Sequence, residues 1–416
     1  MTRFTDVLKN KNFLFLWFGQ IISNFGDRLN QMALVALVYS RSPGSEIALA
    51  KLISFTVIPV FIIGPIAGAW VDRLDRKAVM VICDLIRGVL VLLIPLFIFM
   101  NQILLVYLVI FIAFSLSRFF IPSKMAMIPD IVSKDKLLMA NTLQDTTHMI
   151  GNVVGLVVAG VLVNIKHIGA IGGFYIDGAT FFVSALLVGM IAQSRIIREV
   201  REDLIITKAA LKDSIRKTIF ADIKEGLNYF GRFKETRFAA SVFFVLMAGL
   251  GAISCVIIVF IQNAFKTSTR DLGFLGMFLT GGLFSGILLY GRLGQRLNKK
   301  TMISLSFIAS GILVILFTAS VNAHPGLLSA GILVWLIGMA VSPITVSANT
   351  ITQEMVPEEI RGRVFSSLEA VMHLGFLVFM FVAAYAAKYF DRSWILVMTG
   401  LLFCVFGIVG LINRKR

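Results

Sequence analysis

Apolar residues gather in twelve long runs along the chain, each near the ~20 residues that a helix needs to cross a membrane. The runs cover residues 13–39, 48–70, 78–100, 103–123, 138–163, 169–192, 238–262, 272–291, 302–320, 326–350, 364–387 and 393–412. Turn and charge clusters separate them, among them Ser42-Pro43-Gly44-Ser45, Arg292 to Lys300 and Pro357 to Arg363. In hydrocarbon each backbone amide must be satisfied within its own segment, so each run predicts a helix. The expected fold class is an all-α membrane protein with twelve transmembrane helices in two six-helix bundles. The bundles are 1–192 and 238–416, joined by a cytoplasmic linker at 193–237. Inside that linker Ile215, Ile219, Ile223, Leu227 and Phe230 recur at helical spacing, with Lys212, Arg216, Lys217 and Lys224 on other faces. That pattern predicts an amphipathic helix on the inner leaflet. The first run is too long and too polar for a signal-peptide core, and is read as structure.

Several runs carry polar positions at helical spacing. In the first, Gln20, Asn24, Asp27 and Gln31 fall on one narrow stripe, with Ser23 and Asn30 at its edge. Ionisable groups inside a span are expensive and tend to be functional or paired. The stripe therefore predicts a cavity wall with Asp27 as a protonatable site and Arg28 beside it as a neutralising cation. The fifth run repeats the spacing with Asn141, Asp145, His148 and Asn152, which suits a polar seam between helices and a substrate or proton pathway equally. In the tenth, Ser342, Thr345, Asn349 and Gln353 share a face able to hydrogen-bond a ligand. Glu369 and His373 stand one turn apart in the eleventh, where direct interaction is expected. Asp84 and Arg87 are read as an ion pair fixing the first bundle. Arg118 is a candidate contact for an anionic ligand, Lys124 is placed at the interface, and Asp177 has no partner in its own helix. Most of these ionisable groups lie in the first half, so coupling chemistry is expected in the first bundle. The pairs Gly64/Gly68, Gly151/Gly155 and Gly282/Gly286 predict close helix contacts.

Composition narrows the class. The chain has 58% apolar and 15% charged residues and a mean hydropathy of +0.89. An ordinary soluble enzyme, a disordered chain and a disulfide scaffold are all excluded by that balance. The net charge of +16 tracks sidedness rather than nucleic-acid binding. With the N-terminus inside, thirty Lys and Arg fall in inner loops and seven in outer ones. Both termini are therefore expected in the cytoplasm, with the protein a multi-pass constituent of the cell (inner) membrane. Cys83, Cys255 and Cys404 form no CxxC pair, and the four His form no HExxH. No Walker A loop or GxSxG elbow is present, so no metal, no cofactor and no enzymatic activity are expected.

After the second run the chain reads Gly68-Ala69-Trp70-Val71-Asp72-Arg73-Leu74-Asp75-Arg76-Lys77. This resembles the major facilitator superfamily signature G-x-x-x-D-R-x-G-R-R/K, with Asp75 where Gly is usual. A degenerate copy, Gly291-Arg292-Leu293-Gly294-Gln295-Arg296, follows the eighth run. Asn24-Phe25-Gly26-Asp27, Gly64-Pro65-Ile66-Ala67-Gly68, Ile128-Pro129-Asp130-Ile131-Val132 and the segment Gln353 to Val364 are similar to the macrolide-efflux and enterobactin-exporter branch. The resemblance implies a secondary active transporter working by alternating access, with spans one, four, seven and ten lining the cavity. It points to proton-coupled export of an amphiphilic or drug-like molecule, antiport included, by a protein expected to act as a monomer in the bilayer. The site residues carried forward are Gln20, Asn24, Asp27, Gln31, Arg118, Asp145, His148, Asn349, Glu369 and His373. The gating residues implied are Gly68, Asp72, Arg73, Arg76, Lys77, Arg361 and Arg363, with Asp72 approaching the start of span eleven when the inside is closed. Phe120-Ile121-Pro122-Ser123-Lys124 is similar to lysophospholipid transporters and Gly26-Asp27-Arg28 to ferroportins. A lipid transporter and a divalent-metal exporter are thus alternatives, as is a non-transporting receptor or scaffold, which the continuous polar stripes disfavour.

Overall fold

The structure, a computed structural model, describes residues 7–64, 67, 74–165, 167–192, 234–267, 269–293, 298–356 and 358–413. Twelve long helices account for nearly all of them: α1 Lys11–Arg41, α2 Glu46–Ile62, α3 Arg76–Phe99, α4 Ile103–Ile131, α5 Leu137–Asn164, α6 Gly169–Gly189, α7 Lys234–Phe265, α8 Arg270–Leu293, α9 Lys299–Ala323, α10 Leu327–Met355, α11 Glu358–Ala386 and α12 Arg392–Asn413. Ten of them are long and apolar enough to cross a membrane. The other two are α1, with its polar stripe, and α2, whose described part is 17 residues. The amphipathic helix expected at 215–230 lies outside the described residues, as do Gly68, Asp72 and Arg73.

One helix differs in length from its expectation. The apolar run ends at 123, yet α4 continues to Ile131 through both Pro122 and Pro129. Ser123 is fully buried and returns its hydroxyl to the Phe119 carbonyl at 2.8 Å. Its polarity is satisfied inside the helix, so it ends nothing. Lys124 accordingly sits within a helix rather than at a helix end.

The chain divides into two compact units, Met1–Leu37 with Leu52–Lys217, and Val38–Lys51 with Thr218–Arg416. The loop joining α1 to α2 thus belongs with the second unit. Arg392, at the start of α12, pairs with Glu46 and donates to the Gly44 carbonyl at 3.1 Å, which holds that loop in place. Beside it, hydrogen bonds from the Ser393 hydroxyl and amide hold the Asp391 carboxyl below the usual carboxylate range.

The two units repeat one construction in one register. Asp75 caps α3, accepting from the Ala78 amide at 3.1 Å; Asn298 caps α9, accepting from Lys300 and Thr301. The next residue in each ties that helix to the end of its neighbour: Arg76 to Asp130 of α4 at 2.6 Å, Lys299 to Glu354 of α10 at 2.5 Å. Further along, α3 crosses α6 at Gly88 and Gly178, where a Cβ on either glycine would stand 3.2 Å from the other's carbonyl oxygen. In the second unit α9 crosses α12 at Gly311 and Gly400 in the same way, the Gly400 Cβ falling 2.7 Å from the Gly311 carbonyl. With no difference in apolarity between helix and lipid to drive association, such close backbone approach supplies the packing. Phe13, Met80, Phe120, Ala140 and Val188 lie in the core of the first unit; Phe243, Phe307, Ile344, Leu368 and Phe403 in that of the second.

The expected glycine contacts hold for one pair of the three. Gly282 and Gly286 of α8 press on the Trp335 and Met339 carbonyls of α10. Gly155 meets the Arg28 side chain, while Gly64 and Gly151 face open space, and Gly68 is not among the described residues. The contrast makes a prediction. Gly311→Ala forces the α9–α12 crossing apart and is expected to destabilise by about 1–3 kcal/mol, the usual range for overpacking. Gly151→Ala is expected to be neutral or slightly stabilising through helix propensity. Thermal unfolding of the purified variants in detergent checks both.

Candidate functional site

The polar stripe of α1 turns into the first unit. Gln20 and Ser23 are buried, Asp27 and Asn30 half-buried, and only Gln31 is exposed. Gly26 is what allows this. A methyl group there would overlap Thr180 Oγ1 and Asp177 Oδ1 of α6, so α1 passes α6 with its bare backbone against them. On either side of that contact α1 reaches other helices. Asp27 Oδ1 accepts from Arg87 Nη2 of α3 at 2.8 Å, and Asn30 Nδ2 donates to Asp177 Oδ2 of α6 at 2.7 Å.

Arg87 is the centre of the cluster. Its guanidinium carbon stands 4.0 Å above the centre of the Phe181 ring, and Nη1 lies 3.9 Å from Asp84 Oδ1. A ring face attracts a desolvated cation, which helps hold this one in an apolar setting. Asp84 is fully buried, takes the Ser184 hydroxyl on Oδ2 at 2.6 Å, and has no hydrogen bond on Oδ1. Asp177, also fully buried, accepts from Asn30 and lies 3.4 Å from Thr180 Oγ1. Two carboxyl groups therefore flank one guanidinium, with Asp177 within its electrostatic reach.

Two sequence expectations change here. Arg28 does not neutralise Asp27, because its Nη1 donates to Gln31 at 2.7 Å on its own helix. Arg87 is more than the i, i+3 partner of Asp84, since its shortest bond goes to Asp27. An intrahelical spacing rule sees Asp84 and Arg87 but is blind to a carboxylate arriving from another helix. Asp177 left no signal beyond being an isolated acid in an apolar run, and Gly26 none beyond standing next to Asp27.

The remaining candidates lie apart from this cluster. Asp145 and His148 are exposed on α5, and Asn152 Nδ2 is 3.2 Å from His148 Nδ1. Lys124 of α4 and Arg28 of α1 lie within electrostatic reach of His148. Arg118 is half-buried and donates to the neighbouring Ser117 hydroxyl. Asn349 and Glu369 are exposed in the second unit. His373 does meet residue 369, but on its backbone carbonyl at 2.8 Å rather than on the carboxylate. Asn24 is half-buried on α1. Of the gating residues, Arg76 also donates to the Ala126 carbonyl at 2.9 Å and Lys77 to the Ile191 carbonyl at 2.8 Å, so both fasten α3 within the first unit. Arg361 and Arg363 fall in α11, where their side chains lie outside the described residues. Among the described residues no group of three or more His, Cys, Asp or Glu is arranged to hold a metal ion.

The geometry has a pH-dependent consequence. Removing the cation leaves buried carboxylates uncompensated, which costs about 3–5 kcal/mol when one partner of a buried pair is lost. Arg87→Met is therefore expected to lower stability in detergent. The penalty falls on the ionised carboxyls, so it is largest in alkali and shrinks as acid protonates them. Thermal unfolding across pH checks this; a penalty equal at acid and alkaline pH would remove the electrostatic role of Arg87.

Comparison with known proteins agrees with this architecture. The family model described as Major Facilitator Superfamily matches residues 16–221 and 239–416. Macrolide efflux protein A of Streptococcus pyogenes is 23% identical, over 97% of this chain and 96% of its own. The putative bacilysin exporter BacE of Bacillus amyloliquefaciens is 26% identical, over 87% of this chain and 86% of its own. Among solved structures, the nucleoside transporter NupG superposes with a TM-score of 0.74 at 13% identity, covering 97% of this chain and 99% of that one. At that identity the likeness concerns the fold alone.

Proposed function

The chain belongs to the major facilitator superfamily, and from that premise we propose that it exports an amphiphilic, drug-like small molecule in exchange for protons. It is a multi-pass membrane transporter, with relatives that include a macrolide efflux protein and a putative bacilysin exporter. The observation that carries the proton reading is the Asp27–Arg87 pair at 2.8 Å. It joins α1 to α3, and the Asp27 side chain keeps 30% of its surface exposed while that of Arg87 keeps 9%. A proton arriving on Asp27 removes the negative charge of the pair and frees the guanidinium. Opening such a pair alters the contact between two helices of one bundle, which is the kind of change that biases a rocking transporter. A small molecule of mixed polarity suits the exposed polar positions Asn349 and Glu369, which offer hydrogen-bonding groups on otherwise apolar helices. Alternating access, with both termini cytoplasmic and the protein acting as a monomer, completes the reading.

The test uses inside-out proteoliposomes with an acidic lumen and a radiolabelled macrolide. Protein-dependent accumulation that collapses with a protonophore is expected for the wild type. Asp27→Asn keeps shape and hydrogen bonding but cannot titrate. It is expected to fall to the level of protein-free vesicles. Accumulation indifferent to the pH gradient would sink the proton coupling.

A further inference from the structure

The helix crossing that holds the ionic cluster is built a second time in the same protein without charges. Along the register set by Asp75/Asn298, Gly88/Gly311 and Gly178/Gly400, Gly26 matches Gly249, and Phe181 matches Phe403. A methyl group on Gly249 would strike the Phe403 ring, as one on Gly26 would strike Thr180 and Asp177. The positions of Asp84, Arg87 and Asp177 are taken by Phe307, Ser310 and Thr399. Phe307 packs on Phe403 with ring centres 5.4 Å apart, and all three residues are buried. The fold therefore closes this crossing with apolar and hydroxyl side chains alone. Two fully buried aspartates and a nearly buried arginine, each with a large desolvation penalty, are not what the crossing requires for packing.

The hydrogen bonding says which carboxyl of the first unit differs from the others. Arg87 serves Asp27 at 2.8 Å and Asp84 at 3.9 Å. Asp177 has no cation within 4.0 Å among the described residues. Its polar contacts are neutral: the Asn30 amide on Oδ2, and Thr180 Oγ1 at 3.4 Å from Oδ1. The Thr180 hydroxyl donates to the Asp177 backbone carbonyl at 2.7 Å, much closer than its 3.4 Å to Oδ1. Asp177 Oδ1 is left with one long hydroxyl contact and no cation, a fully buried setting that favours the neutral acid over the carboxylate. The charges within electrostatic reach of Asp177 are Asp27 on α1 and Arg87 on α3. On α5, His148 lies within electrostatic reach of Lys124, Arg28, Asp145 and Asp27.

We infer that Asp177 is the resident proton carrier of this transporter, holding its proton on Oδ1 while Asp27 is paired with Arg87. This deepens the proton-coupled reading above and rests on it for its role in transport. Transfer breaks the O–H bond on Asp177 and makes one on Asp27, so the cluster's proton count is unchanged. Arg87, released from the neutralised Asp27, then serves Asp84 and the newly ionised Asp177. Asp27, the partly exposed member, exchanges the proton with water.

Infrared difference spectroscopy of the purified protein tests the site without any substrate. The wild type at neutral pH is expected to show the carbonyl stretch of a protonated carboxyl in an apolar setting, shifted on transfer to D2O. Asp177→Asn should lose that band, and Asp27→Asn and Asp84→Asn should keep it. Asp177→Thr, which introduces the residue found at this position in the second unit, should also lose it and provides a second variant should the first fail to fold. A band that survives in folded Asp177→Asn or Asp177→Thr, or that is missing from the wild type, overturns the assignment. Transport separates the two readings. If macrolide accumulation in the wild type depends on the pH gradient and persists in folded Asp177→Asn, Asp177 is not the carrier and proton-coupled export stands. If the band is present and lost as expected but no gradient-driven accumulation occurs in the wild type, the protonated carboxyl stands and the export reading falls.

Discussion

One guanidinium ties three helices together inside the first helical unit. In a bilayer no water stands by to screen a mismatch, and charges with few neighbours must be matched by the protein itself. Arg87 meets that constraint by contacting three helices at once: its own α3 through Asp84, α1 through Asp27 and α6 through the face of Phe181. The helix positions follow from it. Gly26 brings the α1 backbone close enough to α6 for Asn30 to reach Asp177, and Gly88 with Gly178 brings α3 close enough to α6 for Ser184 to reach Asp84. Small residues at the crossings and long polar residues between them are two parts of one solution.

The second unit solves the packing half of that problem only. Phe307 packs on Phe403 at the register positions of Asp84 and Phe181, and Ser310, at that of Arg87, returns its hydroxyl to its own helix at 3.1 Å. A duplicated architecture in which one copy is charged and the other is not divides labour between the halves. The first has groups that can change charge at a helix crossing. The second, among the described residues, keeps its closest ion pairs near helix ends, at Lys299 with Glu354 and at Arg392 with Glu46.

Helix number and most boundaries are legible in the sequence because hydrophobic length is a direct physical requirement of the bilayer. The stripe on α1 is legible for the same reason, as Asn24, Asp27 and Gln31 break an apolar pattern at a fixed angle. What periodicity does not carry is which helix the stripe faces. It suggested a cavity wall, and within its own unit α1 turns Asp27 onto α3 and Asn30 onto α6. Asp27 finds Arg87 sixty residues away, and Asp177 finds Asn30 at greater distance still. The end of α4 lies beyond the apolar run 103–123 because the polar Ser123 returns its hydroxyl to Phe119 within the helix. His373 misled in the opposite sense, since the spacing to Glu369 was right and the atom was wrong.

The asymmetry between the two crossings has an electrical consequence. A membrane potential does work on each charge that shifts along it, about 2.3 kcal/mol per elementary charge per 100 mV. Arg87 and the carboxyls around it sit mid-helix in α1, α3 and α6, whereas the matching positions Phe307, Ser310 and Thr399 carry no formal charge. At this crossing the voltage has a handle on one half of the molecule and none on the other. A cell's resting potential then acts on the first unit as a standing bias, present before any substrate or gradient arrives.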